Sequence, residues 1–188
     1  MDEIEKFRVL TRLKNTYRIT SVGHRKESTA EHTWSTLVLA DFLLSKVTTK
    51  LDKLRVFELL MYHDVVEIEA GDTALRPGKH AGDQLGKKDR ERRAAERLRE
   101  KLPPEIAHTF MERFEEFEER TTPEAQFAKA IDHLDAVINQ MDHPEDWGGW
   151  TRAFYVEKKR PYFEPFPELL KFFDELMDHL EKEGYFDQ

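Results

Sequence analysis

Hydrophobic residues recur along most of the chain at the three-to-four-residue spacing of an amphipathic helix. No segment shows the sustained alternation of apolar and polar residues that is typical of a half-buried strand. The pattern therefore predicts an all-α fold. The predicted helices cover residues 3–16, 28–43, 51–69, 87–101, 104–120, 122–141, 150–158 and 168–183.

Local signals mark where several of these helices begin and end. Ser28, followed three residues later by Glu31, is typical of a capping box. Gly71 is expected to end the third helix, and Pro104 and Pro123 favour first-turn positions in two later helices. The residues expected to face the core in the first three helices are Leu10, Leu13, Tyr17, Trp34, Leu37, Val38, Leu39, Leu43, Leu54, Phe57, Leu60, Met61 and Val65.

Two segments between helices have a distinctive composition. Residues 73–86 are rich in glycine and contain Pro77, so we expect a loop there. Residues 159–167 form an aromatic connector with three prolines. The region after Met141 carries no chemical motif. Its aromatic residues are interpreted mainly as packing or dimer contacts, and they include Trp147, Trp150, Phe154 and Tyr155.

Length and composition indicate one soluble domain. The 188 residues are 39% hydrophobic and 36% charged, which is enough to bury a core. We expect a motif-bearing core at about residues 10–141 and a helical extension at about 142–188. No apolar run is long enough to span a membrane, and residues 1–10 lack a signal-peptide pattern, so a cytoplasmic location is expected.

Charge and cysteine content restrict the chemistry further. The net charge of -8 argues against a general nucleic-acid binder, although a local basic pocket still admits a small anionic substrate. Cysteine is absent, which excludes disulfides, thiolate ligands and a thiol nucleophile. Any bound metal must therefore be held by His, Asp or Glu.

Three places in the chain offer such ligands. His32 lies about one turn into the capped second helix, and His63-Asp64 lies in an otherwise apolar stretch. Buried ionisable residues need partners, and a bound cation supplies one. Asp132 and Asp135 lie one turn apart at the margin of a later core face, where exposed helix carboxylates are an equally good interpretation. A mixed imidazole and carboxylate set suits Mn, Fe, Co, Ni or Zn better than calcium.

These residues, in this order, resemble the HD-domain metal-dependent phosphohydrolases, in which a lone His, a His-Asp pair and a distant Asp recur. The resemblance is to the branch of 5'-deoxynucleotidases and oxetanocin-like relatives, over roughly Leu10 to Met141. The stretches that carry it are Arg12–Lys14 with Arg18, Glu27–His32, His63–Asp72 and Thr122–Asp132.

The resemblance implies a helical bundle with a divalent metal ion between helices, held by His32, His63, Asp64 and Asp132. The metal is Mn, Co, Ni, Fe, Zn or Mg. It further implies Glu67 and Asp72 as acidic residues facing the substrate, Arg18 as the residue that meets the phosphate, and a homodimer. The implied substrate is a small nucleotide, most simply a (deoxy)ribonucleoside 5'-monophosphate. Glu67 is expected to transfer a proton, and Asp72 to orient the water or the leaving oxygen.

Several alternatives stay open at this stage. Ile19 stands where some relatives place an aromatic residue, so sugar and base preference are not fixed. His24, Arg25 and Lys26 form either an exposed basic loop or added charge near the phosphate, and Lys79 and His80 would reach the substrate only after loop closure.

The remaining histidines and the wider function are also open. His108, His133, His143 and His179 are expected at the surface, whereas Asp135 is a candidate support for a ligand or for Arg18. Alternative functions are hydrolysis of an alarmone, a cyclic dinucleotide or a triphosphate, a non-catalytic metal- and nucleotide-binding module, and a helical dimerisation protein.

Overall fold

Helices dominate the chain, as the hydrophobic spacing predicts. The computed structural model describes residues 2–72 and 81–187, except for the side chains of residues 81–85 and 87. The described elements are α1 (Asp2–Leu10), β1 (Tyr17–Val22), β2 (Arg25–Ser28), α2 (Thr29–Leu44), α3 (Lys53–Tyr62), α4 (Glu67–Ala70), α5 (Ala81–Arg99), α6 (Pro104–Glu119), α7 (Pro123–Gln140), α8 (Arg152–Lys159) and α9 (Pro167–Lys182). Short 3₁₀ turns cover Thr11–Asn15, Pro144–Trp147 and Arg160–Tyr162.

A two-stranded hairpin interrupts the helices before α2, and the expectation of a strand-free chain was wrong here. β1 and β2 pair antiparallel, with Tyr17 opposite Ser28 and Val22 opposite Arg25. The turn uses Gly23 with a φ of 56°, a conformation that glycine adopts without steric cost. An irregularity in the register lies between these two pairs. Such a bulge breaks the alternation, which removes the signal by which short strands are recognised.

The start of the chain differs in the same way. The predicted first helix over residues 3–16 ends at Leu10 and continues as the 3₁₀ turn to Asn15. Tyr17, expected on the inner face of that helix, lies in β1 and is 55% exposed. Leu13 is buried as expected.

The predicted third helix, 51–69, is broken in two. After Tyr62 the backbone tightens into i→i+3 hydrogen bonds, of which one runs from the amide of Glu67 to the carbonyl of Asp64 at 3.0 Å. His63 explains the break, because its Nδ1 lies 2.7 Å from the carbonyl oxygen of Leu60. In a continuing α-helix, that carbonyl would instead accept a hydrogen bond from the backbone amide four residues later, which belongs to Asp64. Gly71, with a φ of 70°, ends α4 as expected.

The core consists of two packed clusters of buried residues. The larger one joins α2, α3 and α7 to the C-terminal region, with Leu60, Ile131 and Phe173 fully buried. The smaller one joins α1, α5 and α6 and includes Val65 and Val66 from the turn before α4. Because α3, α6 and α7 contact one another, the turn after α3 is supported from both sides.

Some predicted core positions face outward instead. The side chains of Trp34, Val38, Leu54 and Met61 are between 43% and 68% exposed. α2 carries apolar residues on nearly every side, so hydrophobic spacing alone does not select its inner face. The buried face of α2 holds Thr29, His32, Thr36, Ala40 and Leu43.

The C-terminal region packs onto α7, which confirms the packing interpretation of its aromatics. Trp147, Trp150 and Tyr155 are buried. The indole Nε1 of Trp147 donates to the carbonyl oxygen of Gln140 at 2.9 Å, which satisfies its buried donor. The surface expectation was wrong for His143, which is 8% exposed. It lies between α7 and the 3₁₀ turn Pro144–Trp147, and its backbone amide donates to the carbonyl oxygen of Gln140 at 3.0 Å.

The charged helix begins earlier than expected. α5 starts at Ala81, so the predicted loop over 73–86 does not extend past residue 80, and Pro77, Lys79 and His80 lie outside the described residues. Within the described chain, no helix is both long enough and apolar enough to cross a membrane.

Candidate metal centre

The start of α2 fixes the position of His32. The side chain of Ser28 accepts a hydrogen bond from the amide of Glu31, and the carboxylate of Glu31 accepts one from the amide of Ser28 at 2.9 Å. This confirms the predicted capping box. His32 follows one residue later and is completely buried between α2 and α7.

The imidazole of His32 is oriented by two carboxylates of α7. Its Nδ1 lies 2.8 Å from Oδ2 of Asp135, and its Nε2 lies 3.1 Å from Oδ1 of Asp132. Nε2 is also 3.7 Å from Oδ2 of Asp64. Donation from Nδ1 to Asp135 leaves Nε2 as the nitrogen available to a cation, which is the usual arrangement of a metal-binding histidine. Asp135 therefore has the supporting position that the sequence suggested for it.

His63 presents a second imidazole to the same space. Its Nδ1 faces the carbonyl oxygen of Leu60 and must donate to it, so a neutral ring has its lone pair on Nε2. That Nε2 lies 3.1 Å from Oδ2 of Asp64 and 3.9 Å from Oδ1 of Asp132. It is buried and has no hydrogen-bond partner among the described residues.

The structure thus brings together all four residues that the resemblance implied as ligands. His32, His63 and Asp132 each place one donor atom within 4.8 Å of the others. The oxygen of Asp64 lies beside both imidazoles. A lone pair and two carboxylate oxygens that face one another without protons are repulsive unless a cation lies between them. The nitrogen and oxygen donor set and the orphaned Nε2 of His63 therefore fit a divalent transition metal.

The neighbouring charges shift the pKa values of the residues in this cluster. Burial lowers the pKa of His32, but hydrogen bonds to Asp132 and Asp135 outweigh it and raise the pKa to about 9. Burial raises the pKa of Asp132, but Lys129 and His32 reverse that effect and bring it well below its ordinary value.

Arg18 projects from the hairpin toward the cluster. Its Nη1 lies 3.2 Å from Oδ2 of Asp64, and its Nε lies 3.1 Å from Oε2 of Glu27 on the neighbouring strand. The hydroxyl of Thr20 donates to that same oxygen of Glu27 at 2.8 Å. Burial lowers the pKa of Arg18, but attraction to Asp64, Asp132 and Glu27 raises it overall, so the guanidinium stays charged.

Glu67 contacts the start of α2, and Asp72 contacts strand β1 of the hairpin. Glu67 is buried at the start of α4 and accepts a hydrogen bond from the hydroxyl of Thr29 at 2.8 Å. Burial, together with the charges of Asp64 and Asp72, raises its pKa well above the ordinary value. Asp72 accepts a hydrogen bond from the backbone amide of Ile19 at 3.3 Å, which ties the end of α4 to the strand of Arg18.

Sequence reasoning assigned no role to three residues that the structure places around the cluster. Glu27 forms an ion pair with Arg18, and Thr29 donates a hydrogen bond to Glu67. The Nζ of Lys129 lies 3.0 Å from Oδ2 of Asp132. The hairpin was not recognised, so the pairing across it was hidden. Lys129, one turn before Asp132 on α7, was the one detectable signal.

A second group of potential ligands is explained without a metal. Glu27, His32 and Asp135 also lie close together. Asp135 accepts from Nδ1 of His32, while Glu27 is occupied by Arg18 and Thr20. These contacts satisfy the group internally.

Other charged residues lie outside the cluster. Arg25 pairs with Glu31, and Lys26 contacts Asp146 and the carbonyl of Ile19, so β2 uses both in local contacts. His133 was expected at the surface, but it is only partly exposed. Its ring lies 4.1 Å from that of Tyr162, and burial, with the charge of nearby Lys159, lowers its pKa.

Comparison with known proteins agrees with this geometry. A family model described as "HD domain" matches residues 10–169. The chain belongs to the HD domain family. The predicted resemblance to this family and the predicted helical class of the chain are confirmed.

Relatives of this HD domain chain carry a more specific name. This chain is 27% identical over 139 residues to the 5'-deoxynucleotidase HDDC2 of Xenopus laevis. The aligned region covers 72% of this chain and 65% of the relative. This chain is 25% identical over 157 residues to that of Mus musculus, covering 81% of the chain and 73% of the relative. The chain therefore spans slightly less than two thirds of the Xenopus relative's length.

Solved structures with the same fold include two phosphohydrolases by description. A "predicted metal-dependent phosphohydrolase" from Magnetospirillum magnetotacticum is 31% identical with a TM-score of 0.87, covering all of this HD domain chain and 95% of the other. An HD-domain phosphohydrolase from Listeria innocua is 16% identical with a TM-score of 0.71, covering 95% of this chain and 89% of the other. The second likeness shows the fold alone.

Proposed function

We propose that this HD domain protein is a metal-dependent phosphohydrolase that releases phosphate from nucleoside 5'-monophosphates. The observation that carries the proposal is the convergence of His32, His63, Asp64 and Asp132, with Nε2 of His63 buried and without a hydrogen-bond partner among the described residues. The names of the frog and mouse relatives support the choice of substrate class.

The four residues would hold one divalent cation. When bound, such a cation lowers the pKa of a water ligand and neutralises charge on a phosphate. The chain itself supplies the geometry, because Asp135 and the Leu60 carbonyl fix which nitrogen each histidine presents. Fixed ligands keep the site from rearranging during the reaction.

Arg18 is the proposed phosphate-binding residue. A guanidinium binds phosphate oxygens through charge-assisted hydrogen bonds that a single ammonium does not reproduce. Its Nη1 contacts the oxygen of Asp64 that faces the imidazoles, so it already borders the space between the ligands. Glu27 keeps the side chain extended from β1 toward that space.

Glu67 is the proposed proton donor to the departing 5'-oxygen. Burial and the charges of Asp64 and Asp72 raise its pKa well above the ordinary value, which favours the protonated form that a general acid needs. Thr29 orients it by a hydrogen bond to one oxygen. Asp72, whose carboxylate accepts a hydrogen bond from the Ile19 amide, is the residue proposed to orient the same leaving oxygen or the attacking water.

The test is phosphate release by chelated protein resupplied separately with Mn, Co, Ni, Zn and Mg. Deoxy- and ribonucleoside 5'-monophosphates should be compared, alongside a guanosine alarmone, a cyclic dinucleotide and a triphosphate. We expect metal-dependent release from the monophosphates and loss of activity in Asp64→Asn. Asp178→Asn is the matched control, because that exposed carboxylate lies on α9 and pairs with Arg152 on α8.

Each outcome bears on the proposal. Preferential hydrolysis of one of the other nucleotides would replace the substrate class but keep the phosphohydrolase. Tight nucleotide binding without turnover by any metal form would indicate a binding module instead. Equal activity in wild type and Asp64→Asn would remove the cluster from the chemistry.

We also propose that the protein is a homodimer. Trp34, Val38 and Phe42 follow one another at four-residue spacing on α2, and each is more than half exposed. Such an apolar stripe is typical of a surface that another chain covers. Analytical ultracentrifugation should show a dimer that Val38→Glu converts to a monomer, and a monomeric wild type would contradict this proposal.

A further inference from the structure

Each carboxylate of the proposed metal centre is paired with one basic side chain, but the two basic side chains contact different oxygens of their carboxylates. Arg18 contacts Oδ2 of Asp64, which is the oxygen that faces the imidazoles. Lys129 contacts Oδ2 of Asp132, whereas Oδ1 of that residue faces His32 and His63. Lys129 therefore occupies the outer oxygen and leaves the inner one to the metal.

The position of Lys129 is set by its helix and by an aromatic ring. It precedes Asp132 by one turn of α7, and the two side chains are 21% and 13% exposed. Its Nζ lies 4.5 Å from the centre of the Phe117 ring, which is within the range of a cation–π contact. Both contacts restrict the ammonium to one place.

The same ring links Lys129 to a second ligand. The ring centre of Phe117 lies 5.1 Å from that of His63. One partly buried ammonium thus contacts Asp132 directly and lies on the ring that packs against His63.

We propose that Lys129 is a positioning residue that holds Asp132 as a ligand through Oδ1 alone. Without the ammonium, Oδ2 loses its partner and is free to rotate toward the imidazoles and the cation. The ligand set would then change in number and direction, although every ligand residue would still be present. This inference rests on the proposed metal centre.

The experiment compares Co²⁺ binding in Lys129→Met and Lys129→Arg with that in wild type. Methionine keeps an unbranched apolar stem over Phe117 but lacks the charge, whereas arginine keeps the charge. Affinity is measured by competition with a chelating indicator, and ligand number by the visible absorption of bound Co²⁺. We expect affinity about 10- to 100-fold weaker in Lys129→Met, with an altered spectrum, and substantial recovery in Lys129→Arg.

Arg113→Met is the matched control for a purely structural effect. Arg113 is 19% exposed, pairs with Glu116 at the same i,i+3 spacing, and lies on α6 with its other ion pair to Glu58. We expect this variant to lose thermal stability while keeping the wild-type Co²⁺ affinity and spectrum. Circular dichroism verifies that each variant is folded, and Lys129→Gln replaces the methionine variant if that one does not fold.

The possible failures are distinguishable. Wild type that binds no Co²⁺ would overturn the proposed metal centre. Wild type that binds Co²⁺, together with unchanged or tighter binding and an unchanged spectrum in Lys129→Met, would overturn only the role of Lys129. A weakened affinity that Lys129→Arg restores and Arg113→Met does not reproduce supports it.

Discussion

At the scale of single residues, the proposed centre depends on which atom each side chain presents. His32 and His63 both use Nδ1 for a fixed acceptor, so both have Nε2 directed at the same space. The acceptors differ, because one is the carboxylate of Asp135 and the other a backbone carbonyl. The sequence predicted the ligand residues from their resemblance to a family. It did not predict that the Leu60 carbonyl would accept a hydrogen bond from His63, because every residue has a backbone carbonyl whatever its side chain.

The role of Glu67 gives the sharpest prediction at this scale. Glu67→Gln removes the transferable proton but keeps the size of the side chain and its hydrogen bond with Thr29. We expect kcat on a nucleoside 5'-monophosphate to fall by about 10²- to 10⁴-fold, the usual contribution of a general acid. Metal affinity should stay within the wild-type range, because no ligand is changed.

Steady-state kinetics and metal titration of the same preparation measure both quantities. Glu69→Gln on the same short helix is the control, since Glu69 pairs with Lys101 and Arg97 away from the cluster. Wild-type kcat in Glu67→Gln would contradict the assignment.

At the scale of elements, the site depends on helix ends and turns more than on helix interiors. The start of α2 was predictable because Ser28 and Glu31 form the sequence pattern of a capping box. The hairpin was not, because its strands are short and its register irregular. The break between α3 and α4 was missed because it follows from a side-chain contact of His63, whereas the apolar spacing continues through it. The two misses surround Arg18 and Asp64, so their pairing was also beyond sequence reasoning.

Glu116 on α6 links α3, which ends just before His63, to the start of α7, which carries Asp132. It accepts from Arg55 of α3 at 2.8 Å, from Arg113 at 3.0 Å and from Thr122 at the start of α7 at 2.6 Å. Burial raises its pKa, but these partners lower it overall. A carboxylate whose pKa is lower in the folded state stabilises that state above the unfolded pKa, and loses this effect as pH falls through the folded value.

Glu116→Gln should therefore destabilise the protein at pH 7 by about 1.5–3 kcal/mol, the usual contribution of hydrogen bonds to a charged group. The difference from wild type should begin to shrink as pH falls below about 4.3, the ordinary glutamate pKa, and should disappear below the lowered pKa of folded Glu116, because the wild-type carboxyl is then protonated in both states. Urea unfolding at a series of pH values measures it. A difference that stays constant down to the acid limit would show that charge is not the cause.

At the scale of the whole molecule, the centre joins segments far apart in the chain. α2 supplies His32, the turn after α3 supplies His63 and Asp64, and α7 supplies Asp132. The helical class was predictable because composition and spacing act locally, and the motif indicated the four proposed ligand residues. The exposed faces of α2 and α3 were not predictable. Apolar residues lie on nearly every side of α2, and on α3 the apolar Leu54 and Met61 face outward, so only the packed structure selects the buried side.

Joining three segments through one cation should stabilise the fold by mass action. A metal at 100 times its Kd adds about 2.7 kcal/mol if it binds only the folded state. We expect the melting temperature of chelated protein to rise with added Mn²⁺ or Co²⁺, and to rise much less in Asp132→Asn. Calorimetry measures both. An equal rise in the two proteins would place the stabilising ion elsewhere.

The most direct test of the account is a crystal structure of the protein loaded with Mn²⁺, with anomalous scattering recorded to locate the ion. The account predicts one strong peak within coordination distance of Nε2 of His32, Nε2 of His63 and carboxylate oxygens of Asp64 and Asp132. An empty cluster with Mn²⁺ bound elsewhere, or an ion that contacts fewer than three of these residues, would contradict it.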